Sequence, residues 1–382
     1  MKILALPRLP LSLGSGRDRI EQLFGKAGVR LNGRRPWDIR VVNDRFYDRV
    51  LADGNLGLGD SYIEGWWECD RVDEFIERLL RAKIYEEVVD WPFLFDAVRS
   101  RLLNWQSKAF SFANGGQHYD IGDDVYERML DGRRVYSCGY WREAATLDEA
   151  QEAKLTLCCK KLKLEPGMRV LDIGCGWGSF AEYAAVKHKV RVVGITVSKN
   201  QFAYAKKNIG NKQIEIRFQD YRELPLEKFD RIVSIGMFEH VGYKNYSEFM
   251  HVAADRLRED GLFLLHTIGG NRSTTRIDPW MQRHIFPNAM IPSIAQIGAA
   301  MEGLFVMEDW HNFGPDYDRT LMAWCENFEK GWPALRHGYP KRFYRMWRYY
   351  LLSCAGTFRA RELQLWQVLL SRPGRKQPER VV

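Results

Sequence analysis

Three observations in the sequence predict an α/β fold built on a doubly wound, mainly parallel sheet. Five short apolar runs, 168–173, 190–196, 214–218, 229–235 and 261–267, alternate with segments of helical composition, and strands spaced in this way pair in parallel. The first run passes directly into glycines at every second position, Gly174, Gly176 and Gly178, followed by the helix-forming stretch Ser179 to Ala185. Strand, glycine-rich turn and helix N-terminus together let backbone approach a nucleotide-like ligand closely. Ligands of such sheets bind beyond the carboxyl ends of the strands. There the less ordinary residues fall: Gln219-Asp220-Tyr221 after the third strand, Gly236 to Gly242 after the fourth, and His266 in the fifth.

The chain of 382 residues is long enough for two domains, at roughly 100–200 residues each. Met1 to Gly16 is broken by Pro7, Arg8 and Pro10 and makes a poor secretory signal. Arg19 to Ala27, Asp44 to Leu51 and Val72 to Ala82 carry apolar residues at spacings of three and four, the pattern of short amphipathic helices. Ile39 to Val42 alternates like a small strand, and Leu58 to Trp67 is too apolar for an exposed loop. These segments predict a small, mostly helical N-terminal domain over 1–105. Residues 106–117, rich in Ser, Asn and Gly, read as a linker. The α/β domain then occupies 118–382, with a helix at Leu147 to Leu162 ahead of the first core strand.

No run of 18 apolar residues exists to span a bilayer. Seven scattered cysteines without a Cys-x-x-Cys pair point to free thiols in a reducing cytosol and to no metal site. The net charge of +8 is uneven: residues 331–382 carry +9 and the remainder nets −1. Within that basic segment, Phe343, Met346, Trp347 and Tyr350 share one helical face, flanked by Arg342, Arg345 and Arg348. Such a helix suits an anionic lipid surface; a core-facing helix with a basic outer side is the alternative. Nucleic acid is a poor fit, because no Asn/Asp-Pro-Pro-Tyr segment follows the fourth strand and no nucleic-acid module is recognisable.

The glycines have the spacing Asp-x-Gly-x-Gly-x-Gly, not the dinucleotide Gly-x-Gly-x-x-Gly. This pattern resembles the first motif of class I S-adenosylmethionine (SAM) methyltransferases, which implies SAM held at Asp172, Gly174, Gly176 and Gly178. Many such enzymes have an acid at the end of the second strand; here Thr196 stands there, and Gln201 is the candidate for the ribose hydroxyls. Asp220, beside Tyr221, is placed to accept from an adenine amino group, or else simply caps a helix.

Tyr136-Ser137-Cys138, Gly236 to Gly242, Leu265 to Gly269, Asp309 to Gly314 with Tyr317, and Phe358 to Arg361 extend the likeness. With the glycine motif they closely resemble the bacterial cyclopropane-fatty-acyl-phospholipid synthases, from about residue 18 to residue 371. The mycolic-acid cyclopropane synthases look similar over the catalytic part only. The resemblance implies transfer of a methylene group from SAM to a cis double bond in phospholipid acyl chains, with Tyr136 and Ser137 at the cofactor. It also implies a bicarbonate base held by Glu239, His266 and Tyr317 with backbone groups of Cys138 and Ile268. A direct His266 base is open on the residues alone, as is methyl transfer to another lipid alkene or a small amine. Cys354 matches a family cysteine once taken as a nucleophile, although here it reads as a packing or acyl-pocket residue. A homodimer, peripheral on the cytoplasmic face of a phospholipid bilayer, completes the expectation.

Overall fold

The computed structural model describes residues 15–84 and 122–380. The opening stretch, the expected linker and the expected domain boundaries at 105 and 118 lie outside the described residues. The N-terminal part holds α1 (Gly16–Lys26), β1 (Arg40–Val41), α2 (Arg45–Ile63), β2 (Trp67–Glu68) and α3 (Val72–Arg81). The spacing of Val72, Phe75, Ile76 and Leu79 puts all four on the buried face of α3. The glycine- and aromatic-rich stretch from Leu58 is not a separate loop: α2 runs through it, kinked at Gly54, as far as Ile63. Trp67 is fully buried, its indole N–H donating to the Leu58 carbonyl at 3.1 Å.

The second part begins with α4 (Asp123–Met129) and α5 (Leu147–Lys161). Thr146 and Glu149 close a reciprocal capping box at the start of α5. There follow β3 (Arg169–Ile173), α6 (Ser179–His188), β4 (Arg191–Thr196), α7 (Lys199–Asn208), β5 (Ile214–Phe218), β6 (Phe229–Ile235), α8 (Tyr246–Arg256) and β7 (Leu257–Gly270). After them come α9 (Pro279–His284), α10 (Ile294–Met301), β8 (Val306–Asn312), α11 (Pro315–Leu335), α12 (Lys341–Arg359) and β9 (Leu363–Ser371).

The seven-stranded sheet has the order β5-β4-β3-β6-β7-β9-β8. Strands β5 to β7 pair in parallel, as the alternating pattern predicts. β8 and β9 add an antiparallel edge that the alternation does not reveal. The strand order reverses between β3 and β6, which opens a crevice above their carboxyl ends.

The packing of α12 decides between the two readings of 341–351 in favour of the core-facing helix. Trp347 and Tyr350 are buried, in one continuous apolar cluster with Phe24, Phe46, Trp67 and Phe75 of the N-terminal helices. Burying each such side chain is worth ~1.5–3 kcal/mol, so this face stays in the core. Arg345 is also buried: it donates to the carbonyls of Tyr62 at 2.6 Å and Trp67 at 3.0 Å, and pairs with Glu68 at 2.9 Å. Arg348 pairs with Glu329 and Arg342 with Glu64. The aromatic face and its arginines thus join α12 to the N-terminal helices and to α11. Gly356 lets α12 approach α3 closely, because a Cβ there would collide with the Asp73 carbonyl.

Candidate active site

Successive strand ends divide the crevice into stations. Asp220 and Tyr221 follow β5, Thr196 ends β4, Asp172 lies in β3, Gly236 follows β6, and His266 lies in β7. At about 4.8 Å per strand these five ends span roughly 19 Å. One cleft is lined by Tyr136, Ser137, Asp172, Gly174, Gly176, Thr196, Gln201, Asp220 and Tyr221, so the structure brings these sequence-predicted residues together. Gly178 caps the first turn of α6 in the left-handed conformation. Gly174 (φ 84°) and Gly176 (φ 57°) also turn in the left-handed region; a Cβ at Gly174 would press on Met237 at 2.6 Å, whereas one at Gly176 would meet nothing.

At the β4–β5 end, the Thr196 hydroxyl donates to Gln201 Oε1 at 2.9 Å. Asp220 caps the 3₁₀ turn Tyr221–Glu223 by accepting from the Arg222 N–H, and also pairs with the Arg222 guanidinium at 2.8 Å. The capping alternative is therefore realised while the carboxylate still borders the cleft. Tyr136 shares a 2.8 Å hydrogen bond with Tyr350, hydroxyl to hydroxyl. Asp172 is 2 % exposed, and its Oδ2 has no hydrogen bond among the described residues. Burial pushes its carboxyl up to about 7.

Over β6–β7 a second group of residues gathers beside this cleft. Glu239 lies in the 3₁₀ turn Phe238–His240 and is 6 % exposed. Its Oε1 accepts from the Ile268 N–H at 2.7 Å, so that backbone donor is already engaged by the carboxyl. Glu239 Oε2 is buried without a hydrogen bond among the described residues. Burial pushes this carboxyl up to about 7, against the opposing pull of the Ile268 N–H.

His266 is 1 % exposed, and its Nδ1 accepts from Gln367 Nε2 at 3.3 Å. Gln367 stands opposite it on β9. With the Gln367 amide in this orientation the proton sits on Nε2, which has no partner among the described residues. Burial, reinforced by the charges of Lys154 and Lys161, holds the ring well below its usual pKa, and it is neutral. The His266 ring lies 5.8 Å from Phe313, which forms a small apolar cluster with Cys138 and Leu365 against Ile268 and Tyr317. Tyr317 stacks on Phe358 at 4.6 Å. Glu239, His266, Tyr317, Cys138 and Ile268 are thereby linked around one apolar patch.

The cysteines contribute no activated sulfur. The Cys138 thiol is buried, donates to the Gly139 carbonyl at 3.1 Å and is pushed well up by desolvation. Cys354 sits on α12, half-buried, with its thiol also pushed up by burial. Its electrostatic neighbours are Asp278, Tyr349 and Tyr350, and Tyr350 in turn neighbours Tyr136 and Tyr317. Among the described residues no set of three or more His, Cys, Asp or Glu is disposed to hold a metal ion, and no helix is long and apolar enough to cross a membrane.

Sequence reasoning missed Gln151, Lys154 and Gln367. Gln151 donates to the Ser137 carbonyl at 2.7 Å, and Lys154 to the Ser137 hydroxyl at 3.0 Å. Both of these polar residues of α5, at 151 and 154, lie on its buried side beside Leu155 and Cys158.

Residues 106–368 match the family model for mycolic acid cyclopropane synthetase. The chain belongs to this family. It is 51% identical over 355 residues to the cyclopropane-fatty-acyl-phospholipid synthase of Escherichia coli (strain K12), covering 92% of each protein. Among solved structures of the family, the cyclopropane synthase MmaA2 from Mycobacterium tuberculosis superposes with a TM-score of 0.64 at 33% identity, over 68% of this chain and 98% of that one. The mycolic acid cyclopropane synthase CmaA1, solved with SAH and CTAB, gives the same TM-score, identity and coverage. The mycobacterial members thus match about two thirds of the chain and the E. coli relative nearly all of it. Coclaurine N-methyltransferase, at 23% identity and a TM-score of 0.69, shares the fold. That fold is the class I SAM-dependent methyltransferase fold, and the chain is an enzyme of this class.

Proposed function

We propose that the enzyme transfers a methylene group from SAM to the cis double bond of unsaturated acyl chains in membrane phospholipids, forming a cyclopropane ring. The observation that carries this reading is the pair Glu239 Oε2 and His266 Nε2–H. They are a buried acceptor and a buried donor without protein partners among the described residues, set around an apolar patch beside the cleft. Leaving such groups unpaired costs about 1–3 kcal/mol each. A small oxyanion that also bears an O–H satisfies both, which fits bicarbonate.

Asp172, with its unpartnered Oδ2, and the open backbone at Gly176 fit the amino-acid end of SAM. Thr196, Gln201, Asp220 and Tyr221 fit its nucleoside end, and Tyr136 and Ser137 border it from the other side. SAM supplies an electrophilic methyl group. The alkene supplies the electron pair for the new carbon–carbon bond, the sulfur keeps the pair of the broken bond, and the cation is left on the other alkene carbon. Loss of a proton from the added methyl then closes the ring. Aromatic rings stabilise such a cation, and Tyr317, stacked on Phe358, is an aromatic member of the patch. Glu239, His266 and Tyr317, with backbone at Cys138 and at Ile268, whose N–H already serves Glu239, would hold a bicarbonate, and that ion would supply the base. A direct histidine base is disfavoured, because burial and two nearby lysines make His266 a weak acceptor. Cys354 has no step to perform.

The N-terminal part, residues 1–105, is the proposed lipid contact, since α12 is committed to the core. The working state is a homodimer, cytoplasmic and peripheral on the membrane. Purified protein given SAM, bicarbonate and vesicles of cis-unsaturated phospholipid should add one methylene per double bond, read by mass spectrometry and resistance to mild hydrogenation. Depleting bicarbonate should abolish the product and restoring it should recover activity. An unaltered lipid would defeat the proposal, and activity indifferent to bicarbonate would return the proton to His266.

A further inference from the structure

Lys154 is a buried lysine that makes no ion pair among the described residues. Its side chain projects from the inner face of α5 and is 1 % exposed, and the residue borders the cleft. Its Nζ makes one hydrogen bond among the described residues, to the neutral Ser137 hydroxyl at 3.0 Å, and no ion pair. The acids that act on it through space are Asp131 and Asp172. Asp131 is occupied by the backbone N–H groups of Arg133 and Val135. Asp172 borders the same cleft with an oxygen unpartnered among the described residues. One cleft therefore presents an ammonium and a carboxylate, both buried, which attract each other through space but form no ion pair among the described residues. Attraction without direct contact offsets only part of the cost of desolvating two opposite charges. A ligand carrying both complementary charges on one carbon recovers that cost.

We propose that Lys154, with Ser137, binds the α-carboxylate of the cofactor's methionine half, while Asp172 takes its α-ammonium. This assignment rests on the SAM reading above and assigns one end of the molecule to a pair of side chains. The strand stations are consistent with it. The nucleoside side chains lie over β4–β5, Asp172 lies one strand further on, and the Glu239–His266 group lies over β6–β7. The amino-acid end thus falls between the nucleoside and the reacting centre. Ser137 ties the arrangement to the reacting side: its hydroxyl accepts a hydrogen bond from Lys154, its carbonyl accepts one from Gln151, and its chain neighbour is Cys138. A shift at Lys154 would therefore move the segment that faces both groups.

The test uses the intact protein and two ligands, S-adenosylhomocysteine and its decarboxylated analogue S-adenosyl-3-thiopropylamine, titrated by calorimetry. Charge-assisted hydrogen bonds are worth about tenfold or more in affinity. Wild type should prefer S-adenosylhomocysteine by about that factor. Lys154→Met should weaken that ligand by about 10–100-fold, leave the analogue within about twofold, and so erase the preference. Lys154→Arg should retain part of it. Asp172→Asn should weaken both ligands alike, because both keep the ammonium. An equal loss for both ligands in Lys154→Met would make Lys154 a structural residue and overturn the assignment. So would a loss in Asp172→Asn confined to S-adenosylhomocysteine. Should Lys154→Met fail to fold, the wild-type comparison decides alone: equal affinity for the two ligands removes the carboxylate contact. Failure of wild type to bind either ligand would instead sink the SAM reading itself.

Discussion

Buried charges occur in two regions of this molecule and are treated in opposite ways. Where α12 meets the N-terminal helices they are answered in full. Asp73, fully buried, lies between Arg71 at 2.7 Å and Arg359 at 2.6 Å. Arg359 continues to Asp318, and Arg345 divides its donors among Glu68 and two backbone carbonyls. The C-terminal segment's positive excess is in part matched by acids of the N-terminal part, Glu64, Glu68 and Asp73. Over the sheet, Asp172, Glu239 and His266 are equally buried, yet each keeps an atom with no partner among the described residues. Folding tolerates the first kind because attraction offsets desolvation, and the second only at a cost in stability. On the function proposed above, the difference separates groups that hold the fold from groups that await a ligand, and sequence composition is silent on it.

Substitutions at the two regions should therefore fail in different ways. The largest effect on turnover is expected at Glu239. Glu239→Gln keeps the acceptor for Ile268 but not the charge, and activity on unsaturated vesicles should fall by about a hundredfold or more. Its stability should move the other way. The folded carboxyl titrates at about 7 against an ordinary 4.5. Its contribution to stability is thus complete below pH 4.5 and lost as pH climbs to 7. The variant, which cannot titrate, should gain on wild type across that window, by about 3 kcal/mol at most, and hold a constant lead above it. Urea melts at pH 4.5, 6 and 8 measure this, and a lead that shrinks with pH would contradict the assigned burial. At the other region, Arg359→Met leaves Asp73 and Asp318 short of a partner. It should cost roughly 2–4 kcal/mol in denaturant midpoint analysis, with S-adenosylhomocysteine affinity unchanged within about twofold at temperatures where the variant is folded. A variant of normal stability and lost affinity would erase the distinction between the two regions. The smallest effect belongs to Cys354→Ala, whose turnover should stay within about twofold of wild type; loss of activity would restore a chemical role to the thiol.

Much of the fold was legible because it is local. The five parallel strands, the glycine turn and the helix at 147–161 follow from periodicity and turn chemistry. The antiparallel edge of β8 and β9 was not, since Val306 to Asn312 and Leu363 to Ser371 gain meaning only by pairing with each other and with β7. The helix at 341–359 shows the limit most plainly. Aromatics on one face and arginines beside them describe a lipid-facing helix and a core helix equally well, and only the presence of α3 and β2 across the gap decides between them. Within the site, the motif residues Asp172, Glu239 and His266 could be named from the sequence. Lys154 and Gln367 could not, because a lysine on a helix is ordinarily solvated and a glutamine in a strand is ordinarily unremarked.

The sequence by itself determined the alternation of the five parallel strands with helices, the glycine-lined turn and the residue types at each of those strand ends, because those depend on contacts between near neighbours in the chain. Tertiary structure alone decided which charges are paired and which are left facing the crevice. Burial and pairing are set by what arrives from elsewhere: β9 behind His266, α5 beneath Ser137, and the N-terminal helices against α12.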